Sequence, residues 1–93
     1  MTYPAELDFK RDRTLPRAAR RVYEYLSTEL DFTQVRSVKS KLHSEQCGIG
    51  KPRFIAGLNV LVTLGYLVEH DRGANGQRHF TLAWSRNAMA AVD

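Results

Sequence analysis

Residues 51–67 read KPRFIAGLNVLVTLGYL, and how this stretch is read decides the fold. Pro52 suits the first turn of a helix, where its missing N–H would have had no intrahelical partner. At 100° per residue, Phe54, Ile55, Leu58, Leu61 and Val62 share one arc, which gives the helix a defined buried face. The opposite arc holds Arg53, Ala56, Val60 and Thr63, with Asn59 at its margin. Gly65 stands where a left-handed residue closes a helix, so the helix is predicted to stop there.

Beyond the glycine, YLVEH and RHFTLAW carry the alternation and the β-branched and aromatic content of two antiparallel strands. Between them Gly73, Asn75 and Gly76 tolerate the positive φ that a hairpin tip needs. Turn geometry does not require Arg72, Gln77 and Arg78 beside them, so those residues are expected to have a task outside the turn.

On the N-terminal side of the deciding helix, SEQCGIG (residues 44–50) has two glycines and no period and reads as a turn. A helix is predicted before it, with Val35, Val38 and Leu42 pointing inward. Two starts remain open. Thr33 is one cap; Asp31 is the other, with Gln34 completing a capping box and Leu30 placed to staple onto Val35. Further back, Leu15, Ala18, Ala19, Val22, Leu26 and Leu30 fall at helical spacing, predicting a helix over roughly residues 15–29. Arg17, Arg20, Arg21 and Glu24 occupy its other face, with Arg20 and Glu24 spaced to pair.

Residues 1–13 show no periodicity and carry Lys10, Arg11 and Arg13, so they read as a loosely attached arm. Residues 14–84 form the expected domain and 85–93 a tail. A two-stranded sheet alone is marginal, so a short strand around residues 31–33 is expected to join the hairpin. The aromatic residues Tyr23, Tyr25, Phe32, Phe54, Phe80 and Trp84 are expected to close the core and its rim.

The chain has 93 residues and a net charge of +4, enough for one domain with one core. The charge is placed unevenly. Between residues 33 and 84 seven basic residues face three acids, and no acid lies between residues 46 and 68. Met1 is followed by TYPAELDFKRDR, which has no apolar signal region, so a cytoplasmic location is expected. The one cysteine, Cys47, cannot form an internal disulfide, in keeping with a reducing compartment.

Catalysis finds little footing in these residues. His43 and Cys47 are four apart, and His70 and His79 are placed to face one another across the hairpin, but a structural zinc site needs four ligands in recognised spacing. GIGK lacks the spacing and the following Ser/Thr of a phosphate loop, and no nucleophile has a base beside it. No enzyme activity, metal, cofactor or small-molecule ligand is expected.

Three stretches together resemble the winged helix-turn-helix family of DNA-binding domains over about residues 14–84: FTQVRSVKSKL, KPRFIAGLNVLVTLGYL and VEHDRGANGQRHFTL. The seven-residue turn at 44–50 departs from the tight connection of that family. The resemblance implies a small α+β domain of three helices and a C-terminal β-hairpin wing, binding double-stranded DNA with its third helix in the major groove. The wing would reach the adjacent backbone or minor groove.

Residue chemistry fits those roles. Arg53 has a fork for guanine, Asn59 and Thr63 suit base edges, Val60 suits a thymine methyl, and Ala56 lets the backbone approach the groove floor. Gly57 is expected to do the same. Arg36, Lys39 and Lys41 are expected on phosphates, Lys51 at the amide-rich helix start, and Arg72, Gln77 and Arg78 in the wing. The expected role is that of a small transcriptional regulator or accessory DNA-binding factor, nucleoid-associated in a bacterial or archaeal host. A homodimer on two half-sites is the expected way to gain affinity, and no membrane partner is expected. The rival expectation is a protein-interaction module without DNA affinity, docking through Val60, Leu64 and the wing.

Overall fold

The computed structural model describes residues 3–70 and 77–86. They form an α+β domain with four helices and a three-stranded antiparallel sheet. In chain order these are α1 (Pro4–Arg11), α2 (Arg17–Glu29), β1 (Arg36–Val38), α3 (Ser40–Cys47), α4 (Lys51–Thr63), β2 (Leu67–His70) and β3 (Arg78–Leu82).

α4 forms as its apolar period requires, burying Phe54, Leu58 and Leu61. Gly65 (φ 86°) ends it in the left-handed region, and the Tyr66 amide returns to the Leu61 carbonyl at 2.9 Å. Gly57 is buried with that face instead of meeting solvent. A Cβ on it would lie 2.9 Å from Val22 Cγ2 and 3.3 Å from both the Ala18 carbonyl oxygen and the Ala19 Cα. Its role is to let α4 cross closely over α2, not to clear a path to a ligand. α2 buries Ala19, Val22, Tyr23 and Leu26, and it starts at Arg17 because Pro16 takes the capping position ahead of the first turn.

Three expectations are overturned. Residues 36–38 form a strand where a helix is predicted, with Arg36, Ser37 and Val38 opposite Phe80, His79 and Arg78 of β3. Val35, Val38 and Leu42 have helical spacing, but β3 offers a second edge of unpaired backbone groups, and pairing with it satisfies more of them than an exposed helical turn would. Val35 and Leu42 are consequently 45% and 47% exposed. The third strand therefore exists, a few residues later than expected; closer to the expected place, the Asp31 carbonyl accepts from the Leu82 amide at 2.9 Å.

Second, residues 44–47 belong to α3, so the connection to α4 is the three residues Gly48, Ile49 and Gly50. Gly48 (φ 83°) closes α3, its amide and that of Ile49 both reaching the Ser44 carbonyl. The departure noted for the turn thereby disappears.

Third, residues 4–11 are helical and attached, not a loose arm. Pro4 opens the helix, Glu6 lies in its first turn and Lys10 and Arg11 in its last, all favourable to the helix dipole. Ala5 and Phe9 are buried, and the Phe9 ring packs 4.3 Å from that of Tyr23 and 6.0 Å from that of Tyr66. The Ala5 amide donates to the Trp84 carbonyl at 3.0 Å.

The strand order is β1-β3-β2, with Leu67 opposite Leu82 and His70 opposite His79. The sheet gives Val38, Leu67, Phe80 and Leu82 to a core whose largest members are Tyr23, Tyr66, Phe54 and Phe80. Trp84 does not close it: 55% exposed, it stacks on Tyr3 at 5.8 Å and meets Phe32 at 5.1 Å. Among the described residues no helix is long and apolar enough to cross a membrane.

Candidate nucleic-acid interface

The outward face of α4 carries Lys51, Pro52, Arg53, Ala56, Asn59 and Thr63, all exposed, with Val60 half-buried. At 100° per residue these positions from Pro52 onward fall within an arc of about 120° opposite the buried one. Gly50 caps the helix without a side chain, and the first turn contains no acid. The Lys51 and Arg53 amides therefore add partial positive charge at this end, while Pro52 contributes no N–H.

The other expected site residues divide among separate places. Arg36 is exposed on β1, where a terminal nitrogen donates to Gln34 at 3.3 Å, and it borders a depression with Glu29 and His43. Lys39 precedes α3 and Lys41 lies in its first turn; both border a shallow depression with Leu42 and Glu45. Gln77 is exposed. Arg72 and the hairpin tip, with Gly73, Asn75 and Gly76, lie outside the described residues.

Arg78 is engaged within the protein and does not stand free for the wing role expected of it. Its Nε and a terminal nitrogen donate to both carboxylate oxygens of Glu69, at 2.8 and 2.9 Å, and the guanidinium sits 5.1 Å from the centre of the Phe80 ring. A two-point ion pair between side chains 16% and 21% exposed takes the fork that a phosphate would need.

Val60 and Leu64, the surface suggested for a protein partner, are half-buried and pack against the core. Leu64 is also covered by Arg86, whose Nε donates to the Leu64 carbonyl at 2.6 Å. The same guanidinium donates to the Tyr66 hydroxyl at 3.2 Å, and that hydroxyl donates to Asp12 Oδ2 at 2.9 Å. Hydrogen bonds from the Thr14 hydroxyl and amide hold the Asp12 carboxyl below its usual range.

Arg53 has neighbours that sequence reading placed on a solvated helix face. Arg17 and Arg21 border the same depression, together with Ala18, Gly48 and Ile49, and its volume is about 300 Å³. Arg21 is fixed there by Nε, which donates to the Cys47 carbonyl at 3.1 Å. In return the Cys47 thiol lies 3.7 Å from the Arg21 carbonyl, and burial raises its pKa above the ordinary thiol value. Arg20 turns away, its guanidinium over the Phe9 ring and donating to the Asp12 carbonyl. The signal that could have found the cluster is the i, i+4 spacing of Arg17 and Arg21 on the helix that Gly57 brings against α4.

His43, His70 and the thiol have local partners, whereas His79 Nδ1 is buried with no hydrogen-bond partner among the described residues. His43 Nδ1 is 2.9 Å from the Lys39 amide nitrogen and His70 Nε2 is 3.0 Å from Thr81 Oγ1. Among the described residues no three His, Cys, Asp or Glu side chains gather to hold a metal. Comparison of the chain with family models, curated proteins and solved structures gives no match, so the reading of this surface rests on its own chemistry.

Proposed function

We propose that the chain is a double-stranded DNA-binding protein of the winged-helix type, acting by occupancy as a small transcriptional regulator or accessory DNA-binding factor. α4 enters the major groove and the β2–β3 hairpin lies toward the adjacent backbone or minor groove. The observation that carries the reading is the outward arc of α4. It is solvent-facing and free of acids, small at Ala56, hydrogen-bonding at Asn59 and Thr63, and basic at its start. The helix–three-residue turn–helix of α3 and α4, followed by the hairpin, has the element order this function uses.

In this arrangement Asn59 and Thr63 meet base edges, while Lys39, Lys41 and Arg36 contact phosphates and set affinity without reading sequence. A cytoplasmic location and pairing of two copies on adjacent half-sites accompany the proposal. The test is binding to random duplex DNA across a salt series. With about 4–6 phosphate contacts, affinity falls by roughly 10²–10³-fold between 50 and 200 mM salt. Asn59→Ala relaxes preference at one base pair by about 1–3 kcal/mol, whereas Lys39→Ala weakens all sequences alike.

A protein-interaction module remains the second reading, and exposed Leu42 between Lys39, Lys41 and Glu45 is the observation in its favour. Lack of measurable duplex affinity at low salt would select it.

A further inference from the structure

We infer that Arg17, Arg21 and Arg53 form one phosphate-binding cleft, filled by a single backbone phosphodiester of the duplex that α4 engages; the inference rests on the DNA-binding reading above. The cleft lies where the start of α2, the turn after α3 and the start of α4 meet, and its six bordering residues include three arginines and no carboxylate. Neither helix has an acid in its first turn. None of the three arginines has an ion pair among the described residues.

The other charged depressions mix signs, Arg36 with Glu29 and Lys39 and Lys41 with Glu45. Three guanidinium groups around one opening repel each other, and an anion seated between them removes that penalty. Guanidinium forks match the oxygen geometry of phosphate.

The cleft is also built before any ligand arrives. The Nε bond to Cys47 fixes Arg21 so that its terminal nitrogens are left for the opening. One of them passes where a Cβ on residue 48 would come within 3.3 Å, and the glycine leaves that room. Arg53 begins the outward arc of α4, so a duplex lying on that arc brings its backbone to the cleft. Arg53 is thereby a phosphate ligand and not the reader of guanine expected from its sequence position.

The experiment measures duplex affinity by fluorescence anisotropy over a salt series for the wild-type chain, Arg17→Gln and Arg17→Gln/Arg21→Gln. The Arg17 side chain makes no hydrogen bond among the described residues, so its single variant tests the cleft without disturbing the fold. The double variant is expected to lose about 5–30-fold in affinity at low salt, equally on all sequences, and its log–log salt slope to flatten by about 0.9, the equivalent of one phosphate. One neutral methylphosphonate at the matching duplex position should reproduce the loss in the wild type and add nothing in the double variant.

Unchanged affinity and slope in both variants would overturn the cleft, and a change of preference at one base pair in Arg53→Gln would remove Arg53 from it. Absence of wild-type duplex binding is failure of the DNA reading itself, and inorganic phosphate then decides separately. Amide shifts at Gly48, Ile49 and Arg53 that vanish in Arg17→Gln support the anion site but overturn its backbone occupant. Absence of such shifts overturns the site as well.

Discussion

Replacing Gly57 by alanine adds one methyl group where α4 crosses α2, and two effects of opposite sign follow. In an exposed helix the change stabilises by about 0.5–1 kcal/mol, because glycine loses more backbone entropy. Here the new Cβ would lie 2.9 Å from Val22 Cγ2 and 3.3 Å from the Ala18 carbonyl oxygen and Ala19 Cα. Two of those three atoms are backbone and cannot rotate away. Carbon contacts are comfortable at about 3.5–4.0 Å, so α4 must move out by roughly half an ångström or α2 must yield. Overpacking of this kind costs about 1–3 kcal/mol, and the net expectation is destabilisation of about 1–2 kcal/mol. For a chain of this size that lowers the melting temperature by about 5–15 °C.

Urea denaturation followed by circular dichroism measures the effect, with Ala56→Gly on the exposed arc as a calibrant expected to cost about 0.5–1 kcal/mol. Arg53 is one turn before Gly57, so the outward shift also separates it from Arg17 and Arg21, and duplex affinity falls even where the variant remains folded. A Gly57→Ala protein more stable than the wild type would refute the close crossing.

Other outcomes follow from the core and the sheet. Burial, aided by the hydrogen bond to Asp12, pushes the Tyr66 phenol up to about 12, and burial drives Tyr23 higher still. Because these folded values exceed the unfolded value near 10, the stability they give is complete below pH 10 and is lost as pH climbs toward 12 and beyond. The 295 nm absorbance of these two phenols should therefore rise together with unfolding, and Tyr23 or Tyr66 phenolate forming near pH 10 in folded protein would contradict it. Phe9→Ala removes a buried ring from between α1, Tyr23 and Tyr66 and should cost about 3–4 kcal/mol by urea denaturation; a loss below ~1 kcal/mol would mean that α1 is not docked. Arg78→Ala should cost about 1 kcal/mol, discounted for partial exposure, while duplex affinity stays within twofold. A large loss of affinity without loss of stability would return Arg78 to the binding surface.

The parts of the fold legible in the sequence are those whose signal is local. α4 and its exit at Gly65 follow from one apolar arc and one glycine, and α2 falls within two residues of its expected start. The segment that forms β1 reads as a helix because Val35, Val38 and Leu42 satisfy a helical period, while the deciding partner, the free edge of β3, lies about forty residues away in sequence. α1 has no legible period because only Ala5 and Phe9 turn inward, and Phe9 covers a surface made by Tyr23 and Tyr66. Residues 44–47 look like a turn because what they bury is Ser44 and Cys47, not a hydrophobic stripe. At the site, the outward arc of α4 was readable from the wheel. The arginine cleft was not, since it depends on which helix lies beside which. The Glu69 pairing of Arg78 needed the register of the hairpin.

Among the described residues both glycines with positive φ stand beside α4, Gly48 before it and Gly65 after it. They fix a rod of 13 residues, roughly 20 Å long, whose inner side is committed to the core and whose outer side exposes Ala56, Asn59 and Thr63. Adding or deleting a residue within the rod would rotate the inner side out of place, whereas exchanging Ala56, Asn59 or Thr63 leaves the scaffold intact. If α4 reads DNA as proposed, descendants of this chain can acquire new targets by single side-chain exchanges, without first passing through an unstable form.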